Sequence, residues 1–376
     1  MFDRTDIRAA VEAGALSDDG AKRLEAFLKA RNDPDRMLDP ENLRFLANFN
    51  DVFLTIGIVI LMVGLGFLSS ISVFNVIGPR MIDPQSLSEA ASVANSLKLV
   101  VILSPVPVLI GAWLLAEYFC GKRRLLLPSM ALSGVIVWAA GVIALGIFAP
   151  VDQAQSYTNP WAVLVGMSYA GFAGSAIAAG AIFWRFRLPF SLFLLAASVA
   201  GLLYTLVAQT GGISEIVGGA AMLGVGLGTL ICAVAFDMKD PTRSTRNADH
   251  AFWLHMAAAP QIIFGVRGLV LGYGFQEAST ADATVMLAVL VAFGLISLAL
   301  NRRALIVSGL ITFAAALWTL VNNSGWGGLN SLMLTALLVG GAIVLLGGGW
   351  RTARRFILKL FPQQGTLGRI FPPEPA

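Results

Sequence analysis

Residues 185–239 read RFRLPFSLFLLAASVAGLLYTLVAQTGGISEIVGGAAMLGVGLGTLICAVAFDMK. This stretch holds two apolar runs, 188–207 and 216–236, each close to the roughly 20 residues that an α-helix needs to cross a bilayer. Basic residues stand at both outer ends of the stretch, and the gap between the two runs has none. Because Lys and Arg are enriched in cytoplasmic loops, the pattern predicts a pair of spanning helices that starts and ends in the cytoplasm.

The same pattern extends along the whole chain. All but three of the 26 Lys and Arg residues lie before the first apolar run, after the last one, or in every second gap. The exceptions are Arg80, Lys98 and Arg267. We therefore predict an all-α, polytopic membrane protein with about ten transmembrane helices and both termini in the cytoplasm. The eight further runs are 52–70, 98–118, 126–148, 161–184, 251–272, 283–300, 304–321 and 331–349.

The composition supports this class and argues against several others. Hydrophobic residues make up 57% of the chain and charged residues 13%, whereas soluble domains have about 25% charged residues. The net charge of +4 is not a signal for nucleic acid, and cations gathered on one face suit the anionic lipids of the inner leaflet. Two cysteines and two histidines cannot by themselves supply a metal cluster, and no nucleophile–base set is visible, so we expect no cofactor and do not favour an enzyme.

Three regions follow from the distribution of charge. Residues 1–51 are predicted to form a cytoplasmic helical head, in which Ser17 caps a helix and Gly14 ends the one before it. This head is too small to bury much core alone, so we expect it to dock on the membrane part or on a protein partner. Residues 52–349 would form the transmembrane domain. Residues 350–376 would form a basic amphipathic helix at the headgroups and a disordered end.

Ten spans divide into two sets of five, and an odd-numbered repeat inserts its second copy upside down. The second span of each half carries a mid-span proline, Pro105 and Pro260, followed by an apolar run and a glycine. We therefore consider a five-plus-five inverted repeat. Two stripes of small residues predict close helix contacts: Gly224 with Gly228, and the series Ala170, Gly174, Ala178 and Ala181.

The run 251–272 is the polar one, and ionisable groups inside a membrane are costly unless they are paired or functional. We interpret His255, Pro260 and Gln261 as a site for a substrate or a proton, with Arg267 as a contact for an anion. Six-residue steps point in different directions on a straight helix, so this interpretation needs a bend at Pro260. In the alternative interpretation His255 is an interfacial anchor, Pro260 a structural kink, and Arg267 a snorkelling residue.

Glu117 is a further candidate contact for a substrate, near the end of the run 98–118. The alternative is an interfacial carboxylate beside the basic gap that begins at Lys122.

Two stretches carry a resemblance. The head residues 11–17, with Ala21 and Leu24, resemble the helical start of a bacterial family of predicted membrane proteins of unknown function. The segment 251–260 resembles a stretch found in similar proteobacterial polytopic proteins. A looser likeness is to the drug/metabolite transporter superfamily, which also has ten short-looped spans with termini inside, but the head and the long gap 71–97 depart from it. The resemblance implies a bacterial inner-membrane protein and carries no activity.

Two functions remain open from the sequence. The first is a small-solute permease or exporter that works by alternating access between two five-helix halves. The second is a non-transporting scaffold, assembly factor or sensor that recruits a partner through its head. A permease predicts a polar cavity at Gln261 or His255, whereas a scaffold predicts tight packing there.

Overall fold

The computed structural model describes residues 49–78, 86–148, 160–209, 215–240, 245–270, 279–302 and 304–359, with scattered positions between 11 and 24. The chain forms two compact units, Met1–Arg44 and Phe45–Ala376. Most of the predicted head and residues 360–376 of the predicted tail lie outside the described residues. The division into head, transmembrane domain and tail therefore stays a prediction.

In the first unit, Ser17 begins a helical turn. Its hydroxyl accepts a hydrogen bond from the Gly20 amide at 3.1 Å, and its carbonyl accepts one from the Ala21 amide at 2.8 Å. The preceding turn ends at Gly14, whose φ of +69° lies in the left-handed region that favours glycine. The predicted cap and the predicted glycine stop are both confirmed.

The second unit is helical throughout its described part. Each of the ten predicted runs falls on a helix, and two helices, Leu87–Leu103 and Val106–Ala116, share the second run. Two π-helical turns, Glu117–Arg123 and Asn322–Trp326, follow the helices Val106–Ala116 and Ala304–Val321. The α-helices are α1 Phe49–Ile77, α2 Leu87–Leu103, α3 Val106–Ala116, α4 Leu126–Ile147, α5 Pro160–Phe186, α6 Phe190–Gln209, α7 Glu215–Lys239, α8 Arg246–Val270, α9 Thr280–Leu300, α10 Ala304–Val321 and α11 Gly328–Leu358.

Within the described ranges, seven helical stretches are long and apolar enough to cross a membrane, which indicates a multi-pass membrane protein. Three helices, α5, α8 and α10, are not among the seven, so the count of ten spans stays a prediction. The seven stretches are Asn50–Ile77, Ala91–Arg123, Leu126–Ile147, Phe190–Val207, Ile216–Lys239, Thr280–Leu300 and Gly328–Trp350.

The buried side chains form one core in the first helices and another in the later ones. The first core joins α1, α3, α4 and α5 through residues such as Met62, Ala112, Ile136 and Ile182. The second joins α8, α9 and α10 around Ala258, Phe293 and Leu305. A small cluster of Leu192, Ala233 and Leu254 connects α6, α7 and α8. The cores lie on either side of the predicted five-plus-five division, although the repeat itself is not confirmed.

Helices α7 and α8 approach each other at backbone distance. A Cβ atom added at Gly226 would lie 2.7 Å from the Ile262 amide nitrogen, and one at Gly265 would lie 2.4 Å from the Leu223 nitrogen. Gly224 and Gly228, which the sequence predicts as the packing pair, are exposed and have no neighbouring atom within 4 Å of such a Cβ. That prediction is wrong, because the helix is rotated so that Gly226, two positions on from Gly224, faces α8.

The second small-residue stripe does pack as predicted. A Cβ atom at Gly174 of α5 would lie 2.5 Å from the Ala144 Cβ of α4. The Ser175 hydroxyl crosses the same interface and donates to the Val137 carbonyl at 3.1 Å. Small residues here allow two apolar helices to approach closely, as membrane helices do.

The two mid-span prolines have different effects on their helices. Between Leu103 and Val106 the second run is interrupted, with Pro105 at the start of α3. Helix α8 continues from Arg246 to Val270 with Pro260 inside it. An interruption at equivalent positions of the two halves is therefore absent from the described helices, and the fold adds nothing in favour of the inverted repeat.

Asn301 ends α9 with a φ of +54° and accepts a hydrogen bond from the Trp350 indole of α11 at 2.9 Å. We expect Asn301→Gly to lower the free energy of unfolding by about 1 kcal/mol, because it keeps the left-handed turn but removes this bond. Asn301→Ala should cost about 1 kcal/mol more, since a β-carbon strains that conformation. Thermal unfolding in detergent micelles measures both. A smaller loss for Asn301→Ala than for Asn301→Gly would contradict the account.

Candidate functional site

Three ionisable side chains from separate parts of the fold meet in the second unit. Asp237 lies in the last turn of α7, His255 lies nine residues into α8, and Arg302 follows the end of α9. The Arg302 side chain is 2% exposed, the His255 side chain is fully buried, and the Asp237 side chain is 15% exposed. We call these three residues the Asp237 cluster.

Arg302 and Asp237 form a two-pronged ion pair. The Arg302 Nε donates to Asp237 Oδ2 at 3.1 Å, and its Nη2 donates to Oδ1. Planar guanidinium and carboxylate groups are matched for this geometry, which is stronger than a single neutral hydrogen bond. Asp237 also stands at the C-terminal end of α7, where the helix dipole opposes a negative charge. Arg302 supplies the positive charge that this position needs.

The backbone of Arg302 is held so that its side chain turns into the bundle. The Arg302 amide donates to the Ser297 carbonyl at 3.0 Å, and its carbonyl accepts from the Ser297 hydroxyl and from the Leu305 amide. Asn301, just before it, takes the left-handed conformation that ends α9. A tight turn between α9 and α10 thus carries a charge inward.

His255 presents one ring nitrogen to its own helix and the other to Asp237. Its Nδ1 lies 2.7 Å from the Ala251 carbonyl, which can only accept, so Nδ1 carries a proton in this arrangement. Its Nε2 lies 3.7 Å from Asp237 Oδ2. A hydrogen on Nε2 would point toward this carboxylate, so the ring faces Asp237 with its second nitrogen.

Gln261 connects three helices. Its amide nitrogen donates to the Ala196 carbonyl of α6 at 3.1 Å, and its amide oxygen lies 2.9 Å from the Thr229 hydroxyl of α7. The side chain is buried. The Thr229 hydroxyl is also 2.9 Å from the Val225 carbonyl and can donate its one proton to either acceptor. These bonds explain why a polar residue is tolerated in α8; a role in binding a solute stays a prediction.

The other predicted site residues lie in different surroundings. Glu117 accepts two hydrogen bonds from Arg185, at 3.1 and 2.8 Å, and this pair is partly exposed. Both interpretations of Glu117, a contact for a substrate and an interfacial carboxylate, stay predictions. Arg267 is half-buried near the end of α8 and has no ion pair with any residue in the described ranges. Pro260 lies inside α8, beside Gln261.

Sequence reasoning selected His255 but missed Asp237 and Arg302. In the charge pattern Arg302 is one of the cations between two apolar runs, and Asp237 directly follows the run 216–236. One local signal was available: an aspartate in the last turn of an apolar helix is opposed by the dipole and implies a cationic partner. The local sequence does not show which cation pairs with Asp237, because Arg302 is 65 positions away along the chain.

The cluster is a site of charge pairing with an imidazole beside it. Among the described residues, His, Cys, Asp and Glu side chains nowhere gather in groups of three or more that could hold a metal ion. Comparison with known proteins finds no match to any family model, curated protein or solved structure.

Proposed function

We propose that this protein is a small-solute permease or exporter of a bacterial inner membrane, in which the Asp237 cluster closes the cytoplasmic end of the route and binds a proton. The observation that supports this is the burial of three ionisable side chains where α7, α8 and the α9–α10 turn meet. His255 lies within an apolar run, where ionisable groups are rare and often mark substrate, ion or proton pathways.

Pairing across separate elements makes the cluster suitable as a gate. The ion pair of Asp237 with Arg302 holds the end of α7 to the α9–α10 turn. Breaking it costs free energy unless water enters, so the closed and open arrangements would be distinct states. Alternating access requires such a switch between two states of the bundle.

Proton binding at His255 supplies a means of biasing that switch. A protonated Nε2 would donate to Asp237 and compete with Arg302 for the carboxylate. Protonation would then weaken the link between α7 and the α9–α10 turn and favour opening. This is the step by which a proton gradient would be coupled to solute movement.

The predicted location of residues 1–51 is part of the same proposal. The predicted head would lie in the cytoplasm, where its eight Lys and Arg residues face anionic inner-leaflet lipids and a protein partner can bind. The resemblance to bacterial polytopic membrane proteins supports the same location.

A non-transporting scaffold is the second candidate, and the packing of α7 against α8 favours it. The two helices contact each other at backbone distance around Gly226 and Gly265. In the described part of the chain, a cavity among α1–α4 and another among α9–α11 border neither His255 nor Gln261. In a permease this α7–α8 contact would be the closed state of a cycle, whereas in a scaffold it would be permanent.

Cysteine accessibility separates the two candidates without a known solute. In a Cys120→Ser, Cys232→Ser background, Thr229→Cys places a thiol beside Gln261. We expect a membrane-impermeant maleimide to label it from both faces, in right-side-out and inverted vesicles, because alternating access opens this region to each side in turn. Protection from both faces would contradict the permease.

Ser324→Cys is the matched control for that experiment. Ser324 is exposed in the π-helical turn between α10 and α11. Its thiol should be labelled from a single face in every state, and the predicted topology places that face outside. Labelling from the inside would reverse the proposed orientation.

A further inference from the structure

An apolar cavity of about 600 Å³ lies among α1, α2, α3 and α4, apart from the Asp237 cluster. Its volume is in the range of pockets that hold a small molecule. Val63, Phe67 and Trp138 lie on its rim and are more than half exposed, so the cavity opens toward the bilayer. Gly66, Ser104 and Pro105 also line it, and most of the other lining residues are valines.

The cavity borders the interruption between α2 and α3. Pro105 and Pro107 have no amide hydrogen, so the α-helical bond that each would donate is missing. The Ser104 carbonyl accepts a hydrogen bond from the Ser69 hydroxyl of α1 at 2.6 Å. The backbone of Ser104 and Pro105 stays in the helical region, so the second run loses amide hydrogen bonds here without changing its course.

The Ser104 hydroxyl is the unusual group at this interruption. The residue is 9% exposed, and its Oγ has no hydrogen-bond partner among the described residues. Serine inside a helix commonly bonds to the carbonyl one turn earlier, as the Ser198 hydroxyl does with Leu194 at 2.7 Å. A buried hydroxyl without a partner is disfavoured, so a ligand atom that pairs with it would gain binding free energy.

We propose that this cavity binds a membrane-dissolved lipophile whose hydrocarbon body fills the apolar space and whose single hydroxyl or carbonyl pairs with Ser104. The apolar lining excludes charged and sugar-like solutes, which would lose their hydration without compensation. Bulk acyl chains can fill the space but cannot pair with the hydroxyl. The site stands independently of transport, because it lies in α1–α4 and uses no residue of the Asp237 cluster.

Quenching of Trp138 by two brominated probes tests the proposal in the full chain, reconstituted in nanodiscs. The probes are ω-bromododecanol and bromododecane, which differ in one hydroxyl. The Trp138 signal is taken as the difference between the natural chain and Trp138→Phe, since the chain has eight tryptophans. We expect saturable quenching by both probes, with about tenfold tighter binding of the alcohol. That difference in affinity corresponds to the net free energy of one hydrogen bond.

Two variants, each with a control, test whether the preference for the alcohol depends on Ser104 and whether the quenching arises in the cavity. Ser104→Ala should bind both probes equally, at the level of bromododecane, while Ser198→Ala should keep the tenfold preference. Gly66→Leu should abolish saturable quenching by both probes, because a side chain there projects into the cavity. Gly64→Leu, on the same helix with open space around it, should leave quenching unchanged.

Equal affinity of the natural chain for the two probes would overturn the proposal, as would a preference for the alcohol that survives in Ser104→Ala. Non-saturable quenching that is the same in Gly66→Leu and Gly64→Leu would show bulk lipid contact only and would also overturn it. Failure of the Thr229→Cys accessibility test would leave these outcomes untouched, so the two proposals fail separately.

Discussion

Asp237→Ala is expected to lower the free energy of unfolding by about 3–5 kcal/mol, because it leaves the buried Arg302 guanidinium without its counter-charge. Arg302 is 2% exposed and donates two hydrogen bonds to the Asp237 carboxylate. Removing one partner of a buried pair costs far more than the net worth of the pair, since the remaining charge is desolvated. Thermal and denaturant unfolding in detergent micelles measure the loss.

Two comparisons make this expectation specific. Glu117→Ala breaks an ion pair that is partly exposed and should cost about 0–1 kcal/mol. The double variant Asp237→Ala, Arg302→Met should recover most of the loss, because it removes both charges together. If Asp237→Ala were as mild as Glu117→Ala, the cluster would be hydrated, and its assignment as a buried gate would be wrong.

Gly226→Ala is expected to lower the free energy of unfolding by about 1–3 kcal/mol, the usual cost of overpacking a close contact. The added carbon would lie 2.7 Å from the Ile262 amide nitrogen of α8. A backbone atom cannot rotate away as the end of a flexible side chain can, so α7 and α8 would have to move apart. Unfolding in micelles and the labelling of Thr229→Cys in the same background both report this separation.

Gly224→Ala is the matched control for that variant. It lies on the same helix two positions earlier and has open space around its Cβ position. We expect no loss, and a gain of up to about 1 kcal/mol from better helix propensity. Equal losses in the two variants would mean that the faces of α7 are assigned wrongly.

The local features of the helices were predictable because they depend on neighbouring residues. Ser17 begins its helical turn where the cap pattern predicts, and the interruption of the second run falls at Pro105. Pro260 did not interrupt α8, so a proline by itself does not predict a break. The effect of a proline also depends on how neighbouring helices pack around it, and the residues of one run do not contain that information.

The candidate site was predictable in part. His255 was predicted because an ionisable residue in an apolar run costs free energy unless it is paired or has a function. Its partners were missed because Asp237 and Arg302 lie just outside apolar runs, where charged residues are common. Gln261 was selected as a polar residue, but its bonds to Ala196 and Thr229 depend on how α6 and α7 pack beside α8.

That the chain is helical and suited to a membrane follows from its pattern of residues. Long apolar runs leave every backbone group to be satisfied within one segment, and a helix is the local solution to that requirement. Which face of each helix turns inward is set by packing between helices and is visible only in the folded chain. Rotation of a helix about its axis is set by contacts with neighbouring helices, so Gly226 and not Gly224 meets α8. The same rotations bring Asp237, His255 and Arg302 together from three distant positions in the chain.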